Sequence, residues 1–238
     1  MNSSPISIAI DGPSGAGKST QARRCADAFG FIYADTGAIY RTVGLAAWRR
    51  GIDRKDSAAI ENMLPTIQIS LRYNDAGEQR MFLDGEDVSE EIRRPEISIC
   101  ASDVSSLPVV RSYLMQMQRS LAEENNVIMD GRDIGTVVLP NADLKIFLTA
   151  SAEARAKRRM LELQEKGTPC TFDEVLRDIR YRDEQDSSRA AAPLRKADDA
   201  VLVDTSDLTF DETFAALSQL IIERFCIQPL PEDGAAPV

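Results

Sequence analysis

At 238 residues the chain is long enough to bury a full core as one generous domain, or as one domain carrying an insertion. It contains no histidine, which excludes a Ser-His-Asp triad, a Cys-His nucleophile pair, His-ligated zinc and histidine acid-base chemistry, and leaves carboxylates, arginines, lysine and metal to do any work. A net charge of −10 argues against a general polyanion binder, so nucleic acid and membrane surfaces are not expected as partners and the ligand should be small.

The start Met1-Asn2-Ser3-Ser4-Pro5 lacks the basic and apolar regions of a signal peptide, and no apolar stretch approaches the roughly 20 residues that span a bilayer, so a cytoplasmic location is expected. The apolar run Ile6–Ile10 predicts a strand, followed by Gly12-Pro13-Ser14-Gly15-Ala16-Gly17-Lys18-Ser19 and then a helix from Ser19-Thr20-Gln21 onward. That order is the context of a phosphate-binding P-loop: backbone N–H groups wrap an anion, the helix N-terminus adds positive dipole, Lys18 reaches the outer phosphates, and the hydroxyl of Ser19 or Thr20 faces Mg²⁺. A nucleoside triphosphate is the expected ligand.

Phe31–Ala34 predicts a second strand and Gly37–Gly51 a helix. Between about 62 and 95 the texture changes: Ile67-Gln68-Ile69-Ser70-Leu71-Arg72-Tyr73 alternates, Asn74-Asp75-Ala76-Gly77 is turn chemistry, and Met81-Phe82-Leu83 precedes Asp84-Gly85. This predicts a small antiparallel insertion, either decoration or a closure over a substrate. Helices are expected at Pro95–Ser105, Pro108–Glu124, Ser151–Lys166, Phe172–Ala191 and Phe210–Phe225, and further strands at Val127–Met129, Leu144–Leu148 and Ala200–Val203. The whole reads as an α/β protein: a P-loop, doubly wound, parallel five-stranded sheet with helices on both faces and a small antiparallel β-containing insertion. Its ligand should lie beyond the carboxyl ends of the strands. The Pro- and Gly-bearing segment 228–238 is expected to be disordered or loosely attached. Cys25, Cys100, Cys170 and Cys226 form no CxxC pair and suggest neither zinc nor a disulfide framework.

A P-loop alone does not separate a switch GTPase, a motor ATPase and a small-molecule kinase. There is no Asn-Lys-x-Asp guanine-reading segment and no Leu-Ser-Gly-Gly-Gln signature. Of the 28 basic residues 22 are arginine, and they recur near strand ends and along the later helices: Arg41, Arg111, Arg132, Arg155, Arg158, Arg159, Arg182, Arg189 and Arg195. Guanidinium fits phosphate bidentately, and phosphoryl transfer needs charge neutralised around two aligned reactants, so a donor site, an acceptor site and a lid would account for the dispersal.

In its word order the chain resembles the bacterial-type cytidylate kinases, a family of nucleoside monophosphate kinases. The matching words are Ile10-Asp11-Gly12-Pro13-Ser14-Gly15-Ala16-Gly17-Lys18-Ser19, Asp35-Thr36-Gly37-Ala38-Ile39-Tyr40-Arg41, Asp84-Gly85-Glu86-Asp87-Val88, Asp130-Gly131-Arg132-Asp133-Ile134-Gly135-Thr136-Val137-Val138, Arg158-Arg159-Met160-Leu161-Glu162-Leu163-Gln164-Glu165-Lys166-Gly167, and Arg182-Asp183 with Asp186 and Arg189. The resemblance implies transfer of the γ-phosphoryl of ATP to CMP and dCMP with Mg²⁺, by a monomer. It implies a core over 1–61 and 96–227 with a lid at about 151–170, and an acceptor-side insertion at 62–95.

The same resemblance places the donor on Gly12, Pro13, Ser14, Gly15, Ala16, Gly17, Lys18, Ser19 and Thr20, with Ser19 toward the metal. It assigns the cytosine to Ser102, Arg111 and Asp133, the sugar to Arg182 and Asp186, and the acceptor phosphate to Arg41, Arg132 and Arg189, with Thr36 nearby. Lys18, Arg132, Arg158, Arg159 and Arg189 are the expected catalytic charges. The residue chemistry is compatible: a carboxylate accepts from the exocyclic amine of cytosine, whereas the C4 carbonyl of uracil would leave it unpaired. Spacings of four and three put Arg182, Asp186 and Arg189 on one helix face. Asp130, at a strand end, either orients the metal through water or fixes the Gly131-Arg132 turn.

Overall fold

A computed structural model describes residues 4–165, 167–189 and 191–231. The chain divides into two compact units, one formed by Met1–Tyr33 with Asn125–Val238 and the other by Ala34–Glu124.

The first unit is built on parallel strands. β1 (Ser7–Asp11) leads into α1 (Lys18–Phe29), and β2 (Ile32–Asp35), whose last two residues are counted with the second unit, follows. The other strands of the sheet, numbered in chain order after three strands in the second unit, are β6 (Val127–Gly131), β7 (Leu144–Thr149) and β8 (Val201–Asp204). Their order is β2-β6-β1-β7-β8, so chain order reverses at β1, and the P-loop opens at that switch point. β1 pairs in parallel with both β6 and β7, setting Ile10 beside Asp130 and Asp11 beside Gly131 and Phe147. Ile8, Ile10, Ile128, Ile146 and Leu148 are buried with Ala22, Cys25 and Ala26 of α1 and with Leu217 and Ile221 of α8 (Phe210–Phe225). Burial on both sides of β1 is why its sequence is a near-continuous apolar run. Gly12 is obligatory where this strand turns: at φ 151° a Cβ there would sit 1.9 Å from the Leu148 carbonyl oxygen.

α6 (Ala152–Glu165) and α7 (Phe172–Ser187) make a satellite cluster around Ala156, Val175 and Ile179. α7 opens on a capping box, with Thr171 N and Oγ1 both donating to Glu174 Oε2 and Glu174 N donating back to Thr171 Oγ1. It ends at Ser187 rather than at the expected Ala191, because the Ser187 and Ser188 hydroxyls donate to the Asp183 and Glu184 carbonyls and the chain folds back, Leu194 N donating to Asp186 O at 2.8 Å. Ala190 lies outside the described residues, as does Lys166, the expected end of the preceding helix. The expected tail at 228–238 also falls largely outside them; of its described part, Leu230 N donates to Ala28 O at 2.7 Å.

The second unit holds α2 (Thr36–Arg49), α3 (Ser57–Met63), α4 (Pro95–Ser105) and α5 (Pro108–Glu124) with an antiparallel sheet of β3 (Ile69–Tyr73), β4 (Gln79–Leu83) and β5 (Glu86–Asp87). β3 and β4 pair from Ile69 with Leu83 to Tyr73 with Gln79, and Asn74 closes the turn by accepting from Ala76 N and Glu78 N. The alternating strands lie within the expected stretch. The compact unit is wider because Ile69, Met81, Leu83 and Val88 share one core with Ile39, Val43, Ile97, Val104 and Leu114 from the helices. α2 and α4 touch through Gly44, where a Cβ would come within 2.9 Å of Ala101 N.

Candidate active site

The loop between β1 and α1 is closed on itself: Lys18 Nζ donates to Pro13 O at 2.8 Å, and the ammonium is 5% exposed. Burial pushes Lys18 down to about 7, Arg132 adding to the depression while Asp130, Asp11 and Asp186 oppose it. A nearby polyanion would reverse that shift, which is what a phosphate-binding lysine requires. Ser19 Oγ donates to Asp130 Oδ2 at 2.8 Å, and the buried Tyr33 hydroxyl donates to Asp130 Oδ1 at 2.8 Å.

Among the described residues no group of three or more His, Cys, Asp or Glu is arranged to hold a metal. Magnesium with a nucleotide takes most of its ligands from phosphate and water and only one or two from protein, so the paired oxygens of Ser19 and Asp130 at the loop mouth fit it.

Asp11, the last residue of β1, is 4% exposed and accepts from Ile134 N at 2.8 Å and Gly135 N at 2.7 Å. Burial lifts its carboxyl to about 6 against the lowering effect of those two bonds. It thereby pins the start of a π-helical turn, Ile134–Val138, directly after Asp133. Asp133 is itself buried.

Asp186 collects the arginines of this unit. Arg132 Nε donates to its Oδ2 at 2.8 Å and Arg189 to its Oδ1. Burial alone would raise the Asp186 carboxyl, but Arg132, Arg189 and Lys18 outweigh it and hold it below the usual range. Arg182, one turn earlier on α7, is lowered by burial and by Arg132. Arg132, Asp186 and Arg189 are therefore brought together, but the expected sharing of one helix face by Arg182, Asp186 and Arg189 does not hold: α7 ends at Ser187, and Arg189 reaches Asp186 from beyond the helix end.

The three arginines of the expected lid segment have different partners. Arg155 reaches the P-loop backbone at Ser14 O (3.0 Å) and grips Asp183 with two nitrogens (2.9 and 2.6 Å). Arg158 is bound to the Thr205 carbonyl and to Thr205 Oγ1 at 3.2 Å. Arg159 is paired with Glu162 on an exposed face at 2.7 Å.

In the second unit, Asp35 caps α2 by accepting from Ala38 N at 2.9 Å and takes Arg41 Nη2 at 2.9 Å. Arg41 Nε is buried without a hydrogen-bond partner among the described residues, and Thr36 is buried as well. Ser102 on α4 is exposed, and Arg111 on α5 is 6% exposed, with its guanidinium 5.6 Å from the Tyr40 ring. Ser105 links them: its hydroxyl donates to Ser102 O at 2.9 Å and its carbonyl accepts from Arg111 Nη1 at 3.2 Å.

Sequence reasoning missed Asp11, Tyr33, Asp183 and the deep placement of Arg155. Asp11 carried a signal, a lone carboxylate ending an apolar strand; Asp183 stood beside Arg182 in a matching word without a role of its own.

A strand, a glycine-rich loop and a buried lysine at the reversal point of a five-stranded parallel sheet define a P-loop nucleotide-binding fold. A family model described as cytidylate kinase matches residues 8–223. The chain is 51% identical over 215 residues to the cytidylate kinase of Caldicellulosiruptor bescii, covering 90% of this chain and 95% of that protein. It is 50% identical over 216 residues to the cytidylate kinase of Caldanaerobacter subterraneus subsp. tengcongensis, covering 91% and 94%, and 48% identical over 217 residues to that of Geobacter sulfurreducens, covering 91% and 93%. The chain belongs to the cytidylate kinase family. Among the described residues no helix is long and apolar enough to cross a membrane.

Proposed function

We propose that this protein transfers the γ-phosphoryl group of ATP to CMP and dCMP, giving ADP with CDP or dCDP, as a cytoplasmic monomer. The observation that carries the reading is the family match from residue 8 to 223, with relatives named cytidylate kinase at about half identity. The P-loop amides and Lys18 hold the donor, and Ser19, with Asp130 behind it, faces Mg²⁺, which when bound neutralises charge between the donor phosphates. Arg41, Arg132 and Arg189 orient the acceptor phosphate; the open Nε of Arg41 supports that role. Asp186 holds Arg132 and Arg189 in place while accepting from a ribose hydroxyl, with Arg182 beside it.

Ser102, Arg111 and Asp133 read the cytosine, Asp133 accepting from its amine. Thr36 lies next to the acceptor phosphate, and Arg158 and Arg159 contribute charge from the lid. The acceptor is already an oxyanion, so no strong base is needed, and the absence of histidine costs the mechanism nothing. Rate comes from alignment and from positive charge meeting the transferring group.

The test is coupled ADP release with ATP and Mg²⁺, comparing CMP, dCMP, UMP, AMP and GMP. CMP and dCMP should be strongly preferred. Equal use of UMP would remove Asp133 from base reading, and no acceptor-dependent release would remove the kinase reading.

A further inference from the structure

Arg155 is buried to 4% exposure, and its hydrogen bonds account for nearly all of its donors. Nε donates to Ala150 O at 2.9 Å, Nη1 to both Ser14 O at 3.0 Å and Asp183 Oδ1 at 2.9 Å, and Nη2 to Asp183 Oδ2 at 2.6 Å. A guanidinium has five N–H groups, so one Nη2 hydrogen remains. The Asp183 carboxylate already balances its charge. Held this way, Arg155 is a poor phosphate ligand and a good structural hand.

What it holds is a P-loop carbonyl. The Ser14–Gly15 peptide is trans, as is every peptide among the described residues, so its C=O and N–H point in opposite directions from one plane. Fixing the Ser14 carbonyl toward Arg155 turns the Gly15 N–H to the opposite face of the loop. A glycine-rich loop has no side chains to hold that plane, and a peptide rotated by half a turn would present its carbonyl, an anion-repelling group, instead.

We propose that Arg155, locked by Asp183, is a positioning residue that presents the Gly15 N–H to the donor's phosphates. This rests on the reading of the loop as the nucleoside triphosphate site, and it gives Arg155 a role distinct from the charge-supplying one assigned to Arg158 and Arg159. The dependence on Asp183 separates positioning from direct contact: a phosphate-touching arginine released from its carboxylate partner would bind phosphate as well or better, whereas a positioning arginine would lose its aim.

The experiment is calorimetric titration of Arg155→Met, Asp183→Asn and the double variant with ADP and, separately, with CMP, alongside KM for ATP, KM for CMP and kcat. Loss of one well-made charge-assisted contact predicts about tenfold or more weaker ADP binding in each single variant. The double variant should be no weaker than the worse single, and CMP binding should stay within about twofold of wild type, since additivity is expected only of independent groups. Arg155→Lys should recover part of the loss by restoring one donor toward Ser14.

Unchanged or tighter ADP binding in Asp183→Asn with weakened binding in Arg155→Met would make Arg155 a direct phosphate ligand and overturn the proposal. Equal loss of ADP and CMP affinity with a lowered melting temperature would reduce the pair to scaffolding, which also overturns it. Should Arg155→Met not fold, Asp183→Asn and Arg155→Lys carry the same comparison. ADP binding needs no acceptor: wild type that binds ADP but phosphorylates no CMP leaves this inference standing and sinks the acceptor reading, whereas wild type that binds no ADP sinks both.

Discussion

Lys18 shows how a single residue is kept ready for a ligand. Its ammonium is desolvated and held near 7, well below its ordinary 10.5. Between about pH 7 and 10.5 the unfolded chain therefore carries a proton there that the folded chain does not, so this group's burial cost is full below pH 7 and is relieved as pH rises through that window. Donor phosphates favour the charged form, so ADP binding at pH 8 should draw a proton from solvent. Calorimetry in buffers of different ionisation enthalpy should report uptake approaching one proton in wild type and none from this group in Lys18→Met. Uptake that is the same in both proteins would place the titrating group elsewhere. The same variant should lose about 10²–10³-fold in kcat, the scale of removing one preorganised transition-state donor, without a lower melting temperature.

At the scale of elements, the crossing of α2 and α4 sets two opposed effects against each other at Gly44. Alanine in a helix interior is favoured over glycine by about 1 kcal/mol. Yet a Cβ here would meet Ala101 N at 2.9 Å and the Cys100 carbonyl carbon and Cβ at 3.0 Å, and backbone atoms cannot swing aside. Overpacking of this kind costs about 1–3 kcal/mol, so after the propensity gain Gly44→Ala should be destabilising by up to about 2 kcal/mol net. Urea denaturation with an unchanged slope would report it; a more stable variant would mean that α4 yields.

Elements like these divide sharply in how far the sequence exposed them. Pro95–Ser105, Pro108–Glu124 and Phe210–Phe225 begin and end as expected, because proline starts and capping threonines are local signals. α3 went unread: Ser57–Met63 is too short to show a clear period, although Asp56 caps it by accepting from Ala59 N. The π-helical turn at Ile134–Val138 was equally hidden, since it exists through Asp11, more than a hundred residues away in the chain. In the candidate site the same rule holds. Lys18 and Ser19 were singled out by contiguous motif, and Arg132, Asp186 and Arg189 by family words, but not the pairing of both arginines with Asp186. The Arg155 grip on Asp183 and Ser14 was not, because all three lie in separate segments and only tertiary packing brings them together.

For the molecule as a whole, the proposed donor contacts fall within one of the two compact units. Residues 12–20 and Asp130, proposed to hold the donor, all belong to the first. A ligand stabilises only what folds with its site, by about 2.7 kcal/mol at a free concentration 100 times its dissociation constant. Each unit has its own buried core, so calorimetric unfolding is expected to contain a component from each. ADP should then raise the component of the first unit and leave that of the second in place. Segment-resolved hydrogen exchange near the transition assigns the components, through peptides from α1 and β6 for one and from α2 and α4 for the other. Protection by ADP as strong in peptides of the second unit as in those of the first would mean that the donor is not held by residues 12–20 alone.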